Sequence, residues 1–85
     1  MNNIETQDII SLSDNHKYQV ISKVNYNDEN YLYLQDIEED TAVRFCVEKQ
    51  IEGNIKIVDI EDQGLVVKLL PLFEAEAKAS WNSAE

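Results

Sequence analysis

The chain has 85 residues, of which 17 are acidic and seven basic, for a net charge of −10, and 44% are hydrophobic. That length admits one domain with one core, burying only about 60% of the surface its unfolded chain exposes. The charge repels phosphate backbones and anionic bilayers, which argues against direct nucleic-acid or membrane partners, although an acidic surface also serves plain solubility. Two glycines and one proline are too few for a linker or low-complexity chain. A single cysteine, Cys46, excludes an internal disulfide. No window approaches the roughly 20 apolar residues of a membrane span, and Glu5 and Asp8 interrupt any signal-peptide pattern, so the expected address is the cytoplasm.

Residues 1–7 read as a flexible polar lead. Ile9 to Leu12 is a short apolar run stopped by Ser13, Asp14 and Asn15, whose side chains bond nearby backbone and favour turns. From Lys17 to Tyr26 the residues alternate: Tyr18, Val20, Ser22, Val24 and Tyr26 fall on one side, the period of a strand. An acidic turn follows, and then Tyr31 to Asp36, with Leu32 and Leu34 on one face and Tyr31 and Tyr33 on the other. After Glu38, Glu39 and Asp40 the alternation resumes from Ala42 to Lys49. This predicts Val43, Phe45 and Val47 facing the core, with Arg44, Cys46 and Glu48 facing outward. Glu52-Gly53-Asn54 reads as a hairpin turn needing positive φ, and Ile55 to Ile60 as a fifth strand.

Beyond Asp59 the period changes. Val66, Leu69, Leu70, Phe73 and Ala77 recur at three- and four-residue spacing, which predicts an amphipathic helix with Asp62 as its N-cap. The β-branched pair Val66-Val67 favours a sixth strand over 65–70 instead; helix is preferred. Pro71 is expected to kink that helix or to begin a second one. Docking is expected through Leu69, Leu70 and Phe73. The fold class is therefore α+β: a five-stranded antiparallel β-meander with a C-terminal helix packed on one face, spanning 8–78. Ser80, Asn82 and Ser83 are poor helix formers, so residues 79–85 read as a flexible tail with Trp81 loose.

The chemistry is sparse. His16, the single histidine, lies in a turn and has no second histidine to share a triad, so a solvated residue is expected rather than a general base. Cys46 has only Arg44 near it on its own strand face and reads as an ordinary thiol. Gly53 and Gly64 build no phosphate loop. The acids at 36–40 and at 59, 61 and 62 lack the spacing of a calcium loop. No catalytic residue, cofactor site or metal site is expected, and the chain does not read as an enzyme.

The order of elements, with Tyr31-Leu32-Tyr33-Leu34, the Val43-Phe45-Val47 strand and Ile57-Val58-Asp59-Ile60-Glu61-Asp62, resembles the YrzB-like small acidic bacterial proteins of domain of unknown function family 1292, over residues 8–78. Pro71 and the short acid run near Asp40 depart from that pattern. The resemblance implies a small cytosolic β-plus-helix domain and assigns no activity to any residue.

By elimination the chain reads as a protein-interaction or accessory module, binding another protein or itself as a homodimer. Ile21, Tyr31 and Tyr33, taken as outward-facing, and Trp81 in the tail are the expected contact residues, because aromatic side chains bring large contact area at small entropy cost. The alternative is a DNA mimic inhibiting a nucleic-acid-handling enzyme, its carboxylates standing in for phosphates.

Overall fold

Two tight turns organise the chain. Asn27 and Asp28 have φ of 52° and 65°, and Glu52 and Gly53 have φ of 52° and 83°. Two consecutive positive φ values give the two-residue turn whose twist matches that of paired strands. Each therefore folds its flanking segments into a hairpin: β2 (Lys17–Tyr26) on β3 (Glu29–Asp36), and β4 (Val43–Ile51) on β5 (Asn54–Asp59). With β1 (Ile9–Ser11) the strands make one antiparallel sheet in the order β1-β2-β3-β4-β5, followed by α1 (Gln63–Asn82). This computed structural model describes residues 4–39 and 41–82; residues 1–3, Asp40 and residues 83–85 lie outside it. The meander with a C-terminal helix is as the residue pattern predicts, and 63–70 is helix, not a sixth strand.

The helix begins where expected. The Leu65 amide donates to the Asp62 carboxylate at 3.3 Å, so Asp62 caps the first turn. Pro71 lies inside one continuous helix and does not start a second. Its missing amide leaves the carbonyl four residues back, that of Val67, without its helical donor. Val67 is 66% exposed, so that carbonyl lies on the solvent side of the helix. Docking runs through Val66, Leu69 and Phe73, all buried, whereas Leu70 is 43% exposed. The expected place of Leu70 is taken by Val66, which shares the stripe of Leu69 and Phe73 at three- and four-residue steps.

The largest departure concerns the faces of the sheet. Cys46 is completely buried and Val43 is 41% exposed, the reverse of the expected outward and inward assignment, while Phe45 is half-buried and Val47 buried. Both faces are covered. One carries Tyr18, Val20, Leu32, Leu34 and Cys46, with Ile4, Ile10, Leu12 and Ile57 packed against them. The other carries Tyr31 and Val47 with Tyr33 and Phe45, closed by Leu69 and Phe73 of the helix. Alternation tells which side chains share a face, but not how many faces find a cover.

A β-bulge lets β2 serve both cores. Val20 pairs with Leu34, but Ser22, not Ile21, pairs with Tyr33. The extra residue moves Ser22, Val24 and Tyr26 to the tyrosine face and leaves Tyr18 and Val20 on the leucine face. The single row of alternate residues is thus split in the middle.

At both ends of the domain the described residues are tied in further than expected. In the lead, the Gln7 amide donates to the Val20 carbonyl at 2.7 Å, and Ile4 packs on the leucine-face core. Residues 4–7 are part of the domain. At the other end residues 79–82 are helical, and the Trp81 indole N–H donates to the Ile21 carbonyl at 2.8 Å. The loose tail therefore does not begin at 79, and Trp81 is an anchor.

Candidate functional site, a polar cluster around Arg44

The protein contains one histidine and one cysteine, and both lie in a single polar cluster centred on Arg44. The turn after β1 supplies Asp14 and His16, β2 supplies Tyr18, β3 ends on Asp36, β4 supplies Arg44 and Cys46, and β5 ends on Asp59. Alternation along β4 puts Arg44 and Cys46 on the same side, and the register places Cys46 opposite Asp59. The Asp14 carboxylate accepts from the His16 backbone amide at 2.9 Å, as in an Asx turn. That fixes the turn and aims Asp14 at the strands.

Arg44 is the hub. Its Nε and one terminal nitrogen donate to Asp59 Oδ1 at 3.0 and 2.6 Å, and its other terminal nitrogen donates to Asp14 at 3.1 Å. Its guanidinium carbon lies 5.6 Å from the centre of the Tyr18 ring, within cation–π range. The Tyr18 hydroxyl donates to Asp14 at 2.8 Å. His16 Nδ1 lies 2.8 Å from Asp36 Oδ2, while Asp36 Oδ1 accepts from the amides of Glu38 and Glu39 at 2.8 and 3.3 Å.

These contacts set the protonation states. The Glu38 amide, then the His16 hydrogen bond, hold the Asp36 carboxyl below its usual value. The Asp36 hydrogen bond, helped by the nearby Asp14 charge, raises His16 above its usual value. Asp14 is lowered chiefly by the His16 amide. Burial, reinforced by Asp59, pushes the Cys46 thiol up to about 12.

A His–Asp pair resembles half of a catalytic triad, but the nucleophile is misplaced. Cys46, the one buried thiol, is directed at Asp59 3.3 Å away rather than at His16, and it stays protonated near neutrality, so it is a poor nucleophile. Among the described residues no group of three or more His, Cys, Asp or Glu side chains is arranged to hold a metal ion. What the arrangement does is fasten the β1–β2 turn to the end of β5 through Arg44.

The residues singled out from sequence lie elsewhere. Tyr31 is buried and Tyr33 half-buried under the helix, with the Tyr33 ring stacked on Phe45 at 4.9 Å. The expected outward patch of Ile21, Tyr31 and Tyr33 is thus not a surface. Tyr31 and Tyr33 face the helix, which covers that side of the sheet. Ile21 and Trp81 are joined to each other, through the bulge carbonyl. The clamp around them was not expected. Glu76 accepts from the Ser22 hydroxyl at 2.6 Å, the Lys23 amide at 3.2 Å and the Thr6 hydroxyl at 3.1 Å, and also from the Ser80 hydroxyl. Burial pushes this carboxyl up, but the donors outweigh it and hold it below its usual value. Ser22, fully buried, also lies 2.9 Å from the Phe73 carbonyl.

Among the described residues no helix is long and apolar enough to cross a membrane. Comparison with protein-family models, with curated proteins and with solved structures finds no match to this chain, so the resemblance to the small acidic family rests on element order and residue pattern.

Proposed function

We propose that this chain is a small, acidic, non-enzymatic protein-binding module of the cytoplasm. The observation that carries the reading is the outer side of the helix, where Val67 is 66% and Leu70 43% exposed. Val67, Leu70 and the exposed Pro71 stand at three- and four-residue spacing and so form one apolar row. Contiguous apolar surface on an otherwise charged domain marks interaction sites. The cluster around Arg44 supports the reading from the opposite direction, since its hydrogen-bonding capacity is spent inside the fold. The same spending weakens the DNA-mimic alternative: Asp14 and Asp59 are engaged by Arg44 and Asp36 by His16, and none of the three is free to imitate a phosphate.

The test is affinity capture from cells that make the protein, with the native chain and a Val67→Glu/Leu70→Glu double variant as parallel baits. A protein retained by the first and lost by the second is the expected result. An identical capture profile for both baits overturns the helix row as the binding surface.

A further inference from the structure

Separate from the helix row are the two lateral edges of the sheet. Among the described residues, strand β1 is bonded only to β2, and β5 only to β4. The two edges nonetheless flank one groove of about 490 Å³, bordered by Ser11, Leu12 and Ser13 on one side and by Ile55, Ile57 and Asp59 on the other. Leu12 and Ile57 are half-buried against the same core and give the groove an apolar floor. At its far end Arg44 bridges Asp14, beyond β1, and Asp59, at the end of β5. Arg44 thus ties the two margins together at that end of the seam.

The hydrogen-bonding directions follow from the ladders. The Val20 amide donates to Asp8, and the Leu12 amide to His16. Asp8 and Leu12 thus face β2, and alternation turns the amide and carbonyl of Ile9 and Ser11 towards the seam. The Ile60 amide donates to Phe45, so Ile60, Val58 and Lys56 face β4, and Ile55, Ile57 and Asp59 face the seam. In a five-stranded meander the first and last strands run in the same direction. They make a poor pair with each other, but one strand running the opposite way completes an antiparallel ladder with both.

We propose that the seam between β1 and β5 receives an extended segment of a partner protein as a sixth strand, antiparallel to both edges. This deepens the protein-binding reading and rests on it, but it uses a surface separate from the helix row. The occupant is a free extended segment rather than a second copy. An edge strand of another copy is already bonded along one side and brings its own sheet with it, so it can satisfy one edge and cannot enter between two. Side chains on the inner face of the inserted strand meet Leu12 and Ile57 and are apolar. On the outer face the inserted strand passes Lys56 and Val58 of β5, so the position beside Lys56 favours an acidic or neutral polar side chain. Backbone pairing supplies the affinity and the alternate side chains supply selectivity, as in other strand-addition complexes.

The test uses a displayed library of random 12-residue peptides panned against the full chain, followed by amide exchange with each enriched peptide. In the free monomer the amides of Ile9, Ser11, Ile55, Ile57 and Asp59 should exchange readily. The enriched peptides should alternate apolar and polar residues and slow exchange at these positions by tenfold or more. Ser11→Pro removes one seam-facing donor without touching the β2 ladder, and should weaken binding at least tenfold with an unchanged circular dichroism spectrum. Should that variant unfold, Ile55→Pro asks the same of the other edge. Peptides that protect none of these amides but are lost from Val67→Glu/Leu70→Glu overturn the seam and leave the protein-binding reading standing. A library that yields no binder overturns both. Seam amides already protected in the free monomer, or protected only as a dimer forms, overturn the proposal as well.

Discussion

On the helix side of the sheet the filling is aromatic. Tyr33, Phe45 and Phe73 stand with ring centroids 4.9 to 5.9 Å apart, and a separate element brings one of the three rings. On the other side Val20, Leu32 and Leu34 pack with Tyr18 and Cys46, and the cover comes from the sheet's own margins: Ile4, Ile10 and Leu12 near one edge and Ile57 on the other. The polar clamps differ in the same way. Glu76 fastens an element more than 50 residues distant in sequence to the β2 bulge, whereas Arg44 fastens one margin of the sheet to the other. One face is closed by docking and the other by curling. A lesion on the docked face should release the helix and leave a sheet, whereas a lesion on the curled face should take the whole domain.

The largest effects test that contrast directly. Phe73→Ala should cost ~3–5 kcal/mol and Leu34→Ala ~2–5 kcal/mol. Only Phe73→Ala should separate two transitions, with Trp81 emission shifting red at a lower denaturant concentration than the far-ultraviolet signal of the strands. Coincident transitions in Phe73→Ala break the contrast.

Next in size is the clamp. Glu76→Gln keeps the shape but loses the charge that the donors converge on, and should cost about 1–3 kcal/mol, the range for losing a charged acceptor. Because the folded Glu76 carboxyl sits below its usual 4.5, its contribution is complete above that value and disappears as pH falls through the folded one. The stability gap between the native chain and Glu76→Gln, followed by denaturant titration, should therefore narrow in acid. A gap that is constant down to pH 2 contradicts the clamp.

The Arg44 side of the molecule titrates in the other direction. His16 is raised above its usual 6.5, so the pair with Asp36 contributes fully below that pH and fades as pH rises through the folded value. On the acid side Asp36, lowered from 3.8, keeps its own contribution until pH falls below that figure. Melting temperatures of the native chain and His16→Gln should differ at pH 6 and converge by pH 9. A difference that grows with pH has the wrong sign for this pairing. The smallest effect is at a turn: Glu52 holds φ of 52°, a region that asparagine tolerates better. Glu52→Asn should gain less than about 1 kcal/mol, read as a small rise in denaturation midpoint.

The element order was legible because each signal was local. The two-residue period of Lys17–Tyr26 and Ala42–Lys49, the turn at Gly53 and the change of period after Asp59 all act within a few residues. What was not legible depended on partners distant in sequence. Nothing around Ile21 announces a bulge, and no glycine stands there, yet one extra residue decides which core Ser22, Val24 and Tyr26 join. The burial of both Cys46 and Val47 follows from two covers, one of them the helix, and alternation alone assumes one. Trp81 sits among poor helix formers and is held by a carbonyl 60 positions earlier. Of the polar cluster, the sequence showed His16, Arg44 and Cys46 as isolated residues; the β2–β3, β3–β4 and β4–β5 registers bring them together.

The meander order also bears on how the chain reaches this state. Every strand pairs with its neighbour in sequence, so sheet formation closes only short loops and has the low contact order associated with rapid folding. The helix contacts are of another kind: Ser22 to Glu76 and Ile21 to Trp81 span 54 and 60 residues, and loop closure over such distances carries a larger entropy cost. The sheet is therefore expected in the folding transition state before the helix is docked. Glu76→Gln should speed unfolding with little change in the folding rate, a φ-value near zero. Substitutions in the β2–β3 hairpin should slow folding instead. In the unfolding direction the clamp at the bulge is the first contact to open, which makes it the kinetic lock of the domain.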